Sequence, residues 1–102
     1  MSDIPDPEAC LTMTDVRAGV DSVDQRLVAL LDERFAYMRA AARIKPERGH
    51  VRDEARKAQV IDNVAAEAAR LGLPVEAIRE IWDRLVEASI AYEMAEFDRL
   101  KG

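Results

Sequence analysis

Two cations in this sequence stand where a helix would bury them. At about 100° per residue, Val16, Val20, Val23, Leu27, Met38 and Ala41 fall within roughly 30° of one direction, and Arg34 and Lys45 share that direction. They lie eleven positions apart, three helical turns, on an apolar stripe. Arg26, Arg39 and Arg43 point elsewhere and read as solvated surface. An unpaired buried charge is costly, so Arg34 and Lys45 need partners. Further along, Ile78, Ile81, Trp82, Leu85, Tyr92 and Leu100 define a second apolar face, with Ser89 along its middle and Glu93 one turn on. A third face, Val60, Ile61, Val64, Ala68 and Leu71, is extended at its start by Asp53 and Lys57, with Arg56 flanking it. Arg34, Lys45, Asp53, Arg56, Lys57, Ser89 and Glu93 carry more positive than negative charge. Turned to a common interior, they suit a small anion with more than one carboxylate. The same residues also suit a polar network of salt bridges that fixes helix register. Arg17 points about 100° away from Arg34, toward Val28 and Phe35, and suits a second interface.

Other chemistries find little material. One cysteine, Cys10, and one histidine, His50, preclude a disulfide within the chain and a Cys/His zinc set. The acidic stretches lack the alternating pattern of a calcium loop. His50 lies in the polar loop from Pro46 to Arg52, next to Gly49, a poor setting for a catalytic triad. No cofactor or metal is expected. Twenty acidic against fifteen basic residues give a formal charge of −5, which argues against a nucleic-acid or anionic-membrane surface. The first ten residues hold two prolines and three acids, unlike a signal peptide, and no apolar run approaches the ~18 residues of a membrane span. A soluble cytoplasmic protein is expected.

Three helices must position these residues. Hydrophobic residues make up 49% of the chain and aromatics only 5%, so the core is aliphatic and alanine-rich, which favours helices. An irregular tail is expected over 1–12, where Pro5 and Pro7 interrupt, and one helical domain over 13–102. The first helix runs from about Thr14 to Lys45, stopped by Pro46. A polar loop leads to a second helix from about Asp53 to Leu71, capped by Gly72 with Pro74 beyond. The third starts near Val75 and continues almost to the end. The first helix, at roughly 48 Å, exceeds the diameter of about 34 Å of a compact chain this size. Its apolar face continues throughout, so a second copy of the chain is expected to cover it in an intertwined helical dimer.

In order and spacing these segments resemble the AroQ-class, all-helical chorismate mutases. The resemblance rests on Val16-Arg17 with Asp21 and Asp24, Leu30-Leu31-Asp32-Glu33-Arg34, and Ala42-Arg43-Ile44-Lys45. It continues through Val51-Arg52-Asp53 with Arg56, and Leu85-Val86-Glu87-Ala88-Ser89-Ile90, covering roughly residues 12–97. It implies an all-α intertwined homodimer with two sites, each completed by the partner's Arg17. It also implies the Claisen rearrangement of chorismate to prephenate, a step of aromatic amino-acid biosynthesis. By position, Arg34 would hold a substrate carboxylate, and Lys45 would contact the ether oxygen and a carboxylate. Asp53 would help hold the ring hydroxyl, Ser89 would lie near the ring carboxylate, and Arg56 would assist the charge balance. The reaction is concerted and intramolecular, needing neither nucleophile nor cofactor.

Two positions depart from the pattern. Glu93 stands where bacterial members place a glutamine donor, a feature shared by some eukaryotic members; a carboxylate cannot donate to an ether oxygen, whereas a carboxylic acid can. Lys57 stands where many mutases carry a glutamate that accepts from the ring hydroxyl. That change, with Pro7-Glu8-Ala9-Cys10 and Tyr37-Met38-Arg39-Ala40-Ala41-Ala42-Arg43, resembles the isochorismate-pyruvate lyases, which form salicylate and pyruvate in the same fold. A noncatalytic helical dimerisation module is the alternative of a different class.

Overall fold

The computed structural model describes residues 4–101, and among them there are three α-helices, two 3-10 turns and no strand. Helix α1 spans Met13–Ile44, α2 Glu54–Arg70 and α3 Val75–Lys101. The all-helical class is therefore the one expected, although α3, at 27 residues, approaches the 32 of α1. Of the expected tail 1–12, residues 1–3 lie outside the described residues, as does residue 102 of the expected domain 13–102. The chain divides into two compact units, Met1–Arg34 and Phe35–Gly102.

In the first unit, the start of α1 is fixed by a reciprocal cap. Thr12 Oγ1 accepts from the Asp15 amide at 3.1 Å, and Asp15 Oδ2 accepts from the amides of Thr12 at 3.2 Å and Leu11 at 3.0 Å. Three amides that the helix leaves without a partner are thereby satisfied. The Leu11 amide, above all, lowers the Asp15 pKa from its ordinary value, with further help from Thr12. The preceding segment is less irregular than its prolines suggest. Pro7 opens a 3-10 turn, Pro7–Ala9, closed by Ala9 N–H to Asp6 O at 2.9 Å. Proline fits there because its fixed φ suits a first helical position. Ile4 packs onto Gly19, where an added Cβ would lie 3.7 Å from Ile4 Cγ2. Along α1, Val16, Val20, Val23, Leu27 and Leu30 are exposed, Leu30 to 60%.

The second unit packs the last turns of α1, the connection carrying the turn Arg48–His50, α2 and α3. Its deepest cluster is Ala42, Val51 and Phe97, flanked by Ile90 and Met94. Small residues let the backbones approach: α2 buries Ala65 and Ala68, and α3 packs along it. The turn from α2 to α3 depends on one glycine. Gly72 takes φ +73°, and its amide and that of Leu73 return to the carbonyls of Ala69 and Ala68 at 3.1 and 2.8 Å. A residue bearing a Cβ adopts that φ at a conformational cost.

On α3 the buried stripe is Val86, Ser89, Glu93 and Phe97, at spacings that keep one helical face. Ile81 and Leu100, expected on the buried face, are exposed, as is Leu71 on α2. Periodicity places residues on a common face, but only a neighbouring element buries them.

Candidate functional site

Two polar residues interrupt the buried stripe of α3 side by side. Ser89 and Glu93 are buried to 3% and 4% exposure, one turn apart. Ser89 Oγ donates to the Leu85 carbonyl at 2.7 Å, a back-bond that keeps its hydroxyl on the helix. Glu93 meets Lys45, whose Nζ lies 2.7 Å from Glu93 Oε2. Lys45 follows the last residue of α1, and its amide still closes a helical bond to Ala41 O. The end of α1 thus delivers an ammonium to a carboxylate buried by α3. The lysine side chain keeps 29% exposure against 5% for the glutamate, so the pair opens to solvent from the lysine side. In this state the carboxylate accepts from the ammonium; donating to a ligand would require the acid form or another group.

A second charged cluster joins α2 to α3. Lys57 Nζ lies 2.9 Å from Asp83 Oδ1 and 2.8 Å from Glu87 Oε2. Glu87 also takes a two-pronged contact from Arg52, at 2.7 and 3.1 Å, while Arg52 reaches Glu54 at 2.7 Å. Arg52 foremost, then Lys57, lowers the Glu87 pKa from 4.5 to about 2. The carboxylates raise the Arg52 and Lys57 pKa values above their ordinary range, mainly through the hydrogen bonds that these cations donate to Glu87. Glu87 stands within the segment from Leu85 to Ile90 that carries the resemblance, but neither it nor Asp83 is a candidate site residue in the sequence. Their signal was present: two acids at i and i+4 on one helix, matching the basic pair Arg52 and Lys57.

The remaining candidates are placed differently. Asp53 is exposed and caps α2, its Oδ1 accepting from the Arg56 amide at 3.0 Å. Arg56 is exposed and donates to Gln59 Oε1 at 2.7 Å on its own helix. The structure therefore gives Asp53 and Arg56 local helical partners, rather than the inward direction read from the α2 face. Arg17 is exposed and Arg34 half-buried, both on the part of α1 in the first unit. Within the second unit the structure brings Lys45, Ser89 and Glu93 to one part of α3. The expected excess of positive charge gives way there to matched pairs, because Asp83 and Glu87 answer Lys57 and Arg52.

Arg39, expected on the solvated surface, is indeed exposed, but its guanidinium donates to Tyr92 Oη at 2.8 Å. The Phe35 ring meets Tyr92 edge-on, with centroids 4.8 Å apart. Among the described residues, no group of three or more His, Cys, Asp and Glu side chains is placed to hold a metal ion. No helix among them is long and apolar enough to cross a membrane. In the first unit, a cleft of about 760 Å³ lies between the segment from Ile4 to Cys10 and α1. Val16, Gly19, Val20, Val23 and Arg26 line it.

Comparison with known proteins gives this arrangement a family context. The family described as chorismate mutase type II matches residues 16–94, a span that holds all eight candidate residues. The chain is also similar to an isochorismate pyruvate lyase of Pseudomonas aeruginosa, 25% identical over 96 residues. That similarity covers 94% of this chain and 95% of the relative.

Proposed function

The chain belongs to the chorismate mutase type II family, and from that premise we propose that it rearranges chorismate to prephenate. The observation that carries this reading is the ammonium of Lys45 held at 2.7 Å by the buried Glu93, beside Ser89. Such a pair is a poor structural investment for a small domain, since well-packed apolar groups of the same volume stabilise as well or better. It makes sense where a developing charge must be met by a group already in place.

The rearrangement breaks a C–O bond as a C–C bond forms within one molecule, with no proton transferred and no covalent intermediate. Rate comes first from holding the folded, near-attack conformer of a flexible dianion. In the proposed site Arg34 grips one carboxylate through its planar fork, and the partner's Arg17 closes over another. Lys45 meets the negative charge that gathers on the ether oxygen. Glu93 keeps the ammonium aimed, or as the acid donates to that oxygen itself. Ser89 lies near the ring carboxylate, Asp53 helps hold the ring hydroxyl, and Arg56 and Lys57 complete the charge balance. The assembly is a homodimer that covers the exposed α1 face, and the protein is soluble and cytoplasmic.

A second reading, isochorismate-pyruvate lyase, is favoured by two observations. One is the similarity to the Pseudomonas aeruginosa protein of that name. The other is Lys57, a donor held by Asp83 and Glu87, at the position where many mutases carry a glutamate.

The test is a parallel assay of the purified protein on chorismate and isochorismate, following prephenate against salicylate and pyruvate. Prephenate as the main product supports the mutase, and salicylate with pyruvate selects the lyase. The Arg34→Ala variant should lose at least about a hundredfold in kcat/KM on the accepted substrate. Inactivity of the unaltered protein on both substrates would leave a noncatalytic helical module.

A further inference from the structure

The connection after α1 is tied to the end of α3 at several points that the reaction itself does not explain. Arg48 reaches Asp98 with two bonds, Nε to Oδ1 at 2.8 Å and Nη2 to Oδ2 at 3.2 Å. The Lys101 ammonium donates to the Lys45 carbonyl and sits 4.6 Å from the centre of the Phe97 ring. Beneath them, Phe97 packs with Ala42 and Val51, the residues that flank the connection.

Each tie has a local reason. The Lys45 carbonyl lies at the C-terminal end of α1, where the helix leaves oxygens without partners and the dipole favours a cation. Lys101 provides one. The Arg48 and Asp98 side chains are 59% and 51% exposed, and an isolated pair at that exposure contributes little. Here the two-pronged geometry, the Lys101 bond and the Phe97 contact act on a single short segment. That segment carries Lys45 at its start.

We propose that the last turns of α3 form a clamp in which Asp98 and Lys101 are positioning residues, fixing the backbone of Lys45 so that its ammonium stays in register with Glu93. The inference rests on the proposed function insofar as Lys45 meets the substrate. The clamp itself is a property of the chain. Glu93, Phe97 and Lys101 lie on successive turns of α3, so one helix sets both the carboxylate and the backbone from which the lysine reaches it. Freeing the clamp lets the ammonium wander without removing any group that touches substrate.

The test uses the full chain with Asp98→Ala and Lys101→Met together; methionine keeps an apolar stem against Phe97. A misplaced catalytic group lowers kcat, so a fall of about three- to tenfold with KM little changed is expected. Amide exchange at Lys45, His50 and Val51 should accelerate, because these amides close the bonds of the clamped segment. Exchanging the partners in Arg48→Asp with Asp98→Arg should restore slow exchange and most of kcat, relative to Asp98→Arg alone. This exchanged pair keeps the clamp falsifiable if the double variant folds poorly. Unaltered exchange and kcat in the double variant would overturn the proposal, as would failure of the exchanged pair to recover either. If the unaltered protein turns over neither substrate, the reaction reading fails. The exchange rates then decide the clamp alone: faster exchange in the double variant supports it, and unchanged exchange overturns it.

Discussion

Glu93 is the buried carboxylate of the second unit's ion pair with Lys45. It lies in the middle of an apolar stripe, and its ammonium partner comes from a residue 48 positions earlier in the chain. Truncation to alanine leaves Lys45 half-buried without that carboxylate and opens a void beside Ser89. Glu93→Ala should therefore destabilise the protein by about 2–4 kcal/mol, read from urea unfolding, whereas Glu93→Gln keeps the shape and loses less. Glu87 offers a cleaner titration. Its folded pKa of about 2 lies below the 4.5 of the free side chain, so the unfolded chain binds the proton more readily. Its contribution is complete above pH 4.5 and is lost as pH falls toward 2. Glu87→Gln should remove that part of the acid sensitivity, so the urea midpoint of the variant changes less between about pH 6 and about pH 3 than that of the parent. Equal pH sensitivity in the two proteins would refute this assignment. Helical angle alone made Lys45, Ser89 and Glu93 legible in the sequence, because a charge or hydroxyl on an apolar face must find a partner. Asp83 and Glu87 are not legible as partners of Arg52 and Lys57, because acids on a half-exposed face look like ordinary solvated surface until the facing helix is known.

At the scale of the element, helix ends were more legible than helix faces. Pro46, Gly72 and Pro74 act through backbone geometry and need no tertiary knowledge, and α1 and α2 end and α3 begins within a residue or two of the positions they dictate. The faces of α2 and α3 are less legible. Leu71, Ile81 and Leu100 obey the helical period but remain exposed. Asp53 shows how one residue can belong to two accounts. It caps α2, and it is also a candidate for the ring hydroxyl. Asparagine caps as well as aspartate and alanine does not. Asp53→Ala should lower stability by about 1 kcal/mol, measured by thermal or urea unfolding, whereas Asp53→Asn should not. Loss of turnover in the asparagine variant at full stability would then report the carboxylate's contact with substrate, separated from its service to the helix.

For the whole molecule, the decisive feature is the row of aliphatic side chains that α1 leaves bare in the first unit. Val16, Val20, Val23, Leu27 and Leu30 are 38–60% exposed, and the three valines line the cleft beside Ile4. A second copy laid against them is the proposed cover, and with it comes an exchange of arginines between copies. Complementation tests this directly. Arg17→Ala and Arg34→Ala chains, each inactive alone, should recover about a quarter of the parental activity when mixed at equal amounts and allowed to re-pair. Half of the pairs are then mixed, and each mixed pair keeps one intact site. No recovery, with re-pairing verified by sedimentation, would show that Arg17 does not complete the partner's site. The long helix and its uncovered face were legible from length and periodicity, but the identity of what covers them is not written in either.

An aliphatic ridge of this kind has a bearing on gene dosage. In the proposed dimer, mated chains hide the ridge, whereas single chains display it to holdases and proteases. At low expression a larger share of the chains is unmated, so halving the number of copies in a cell should more than halve the output.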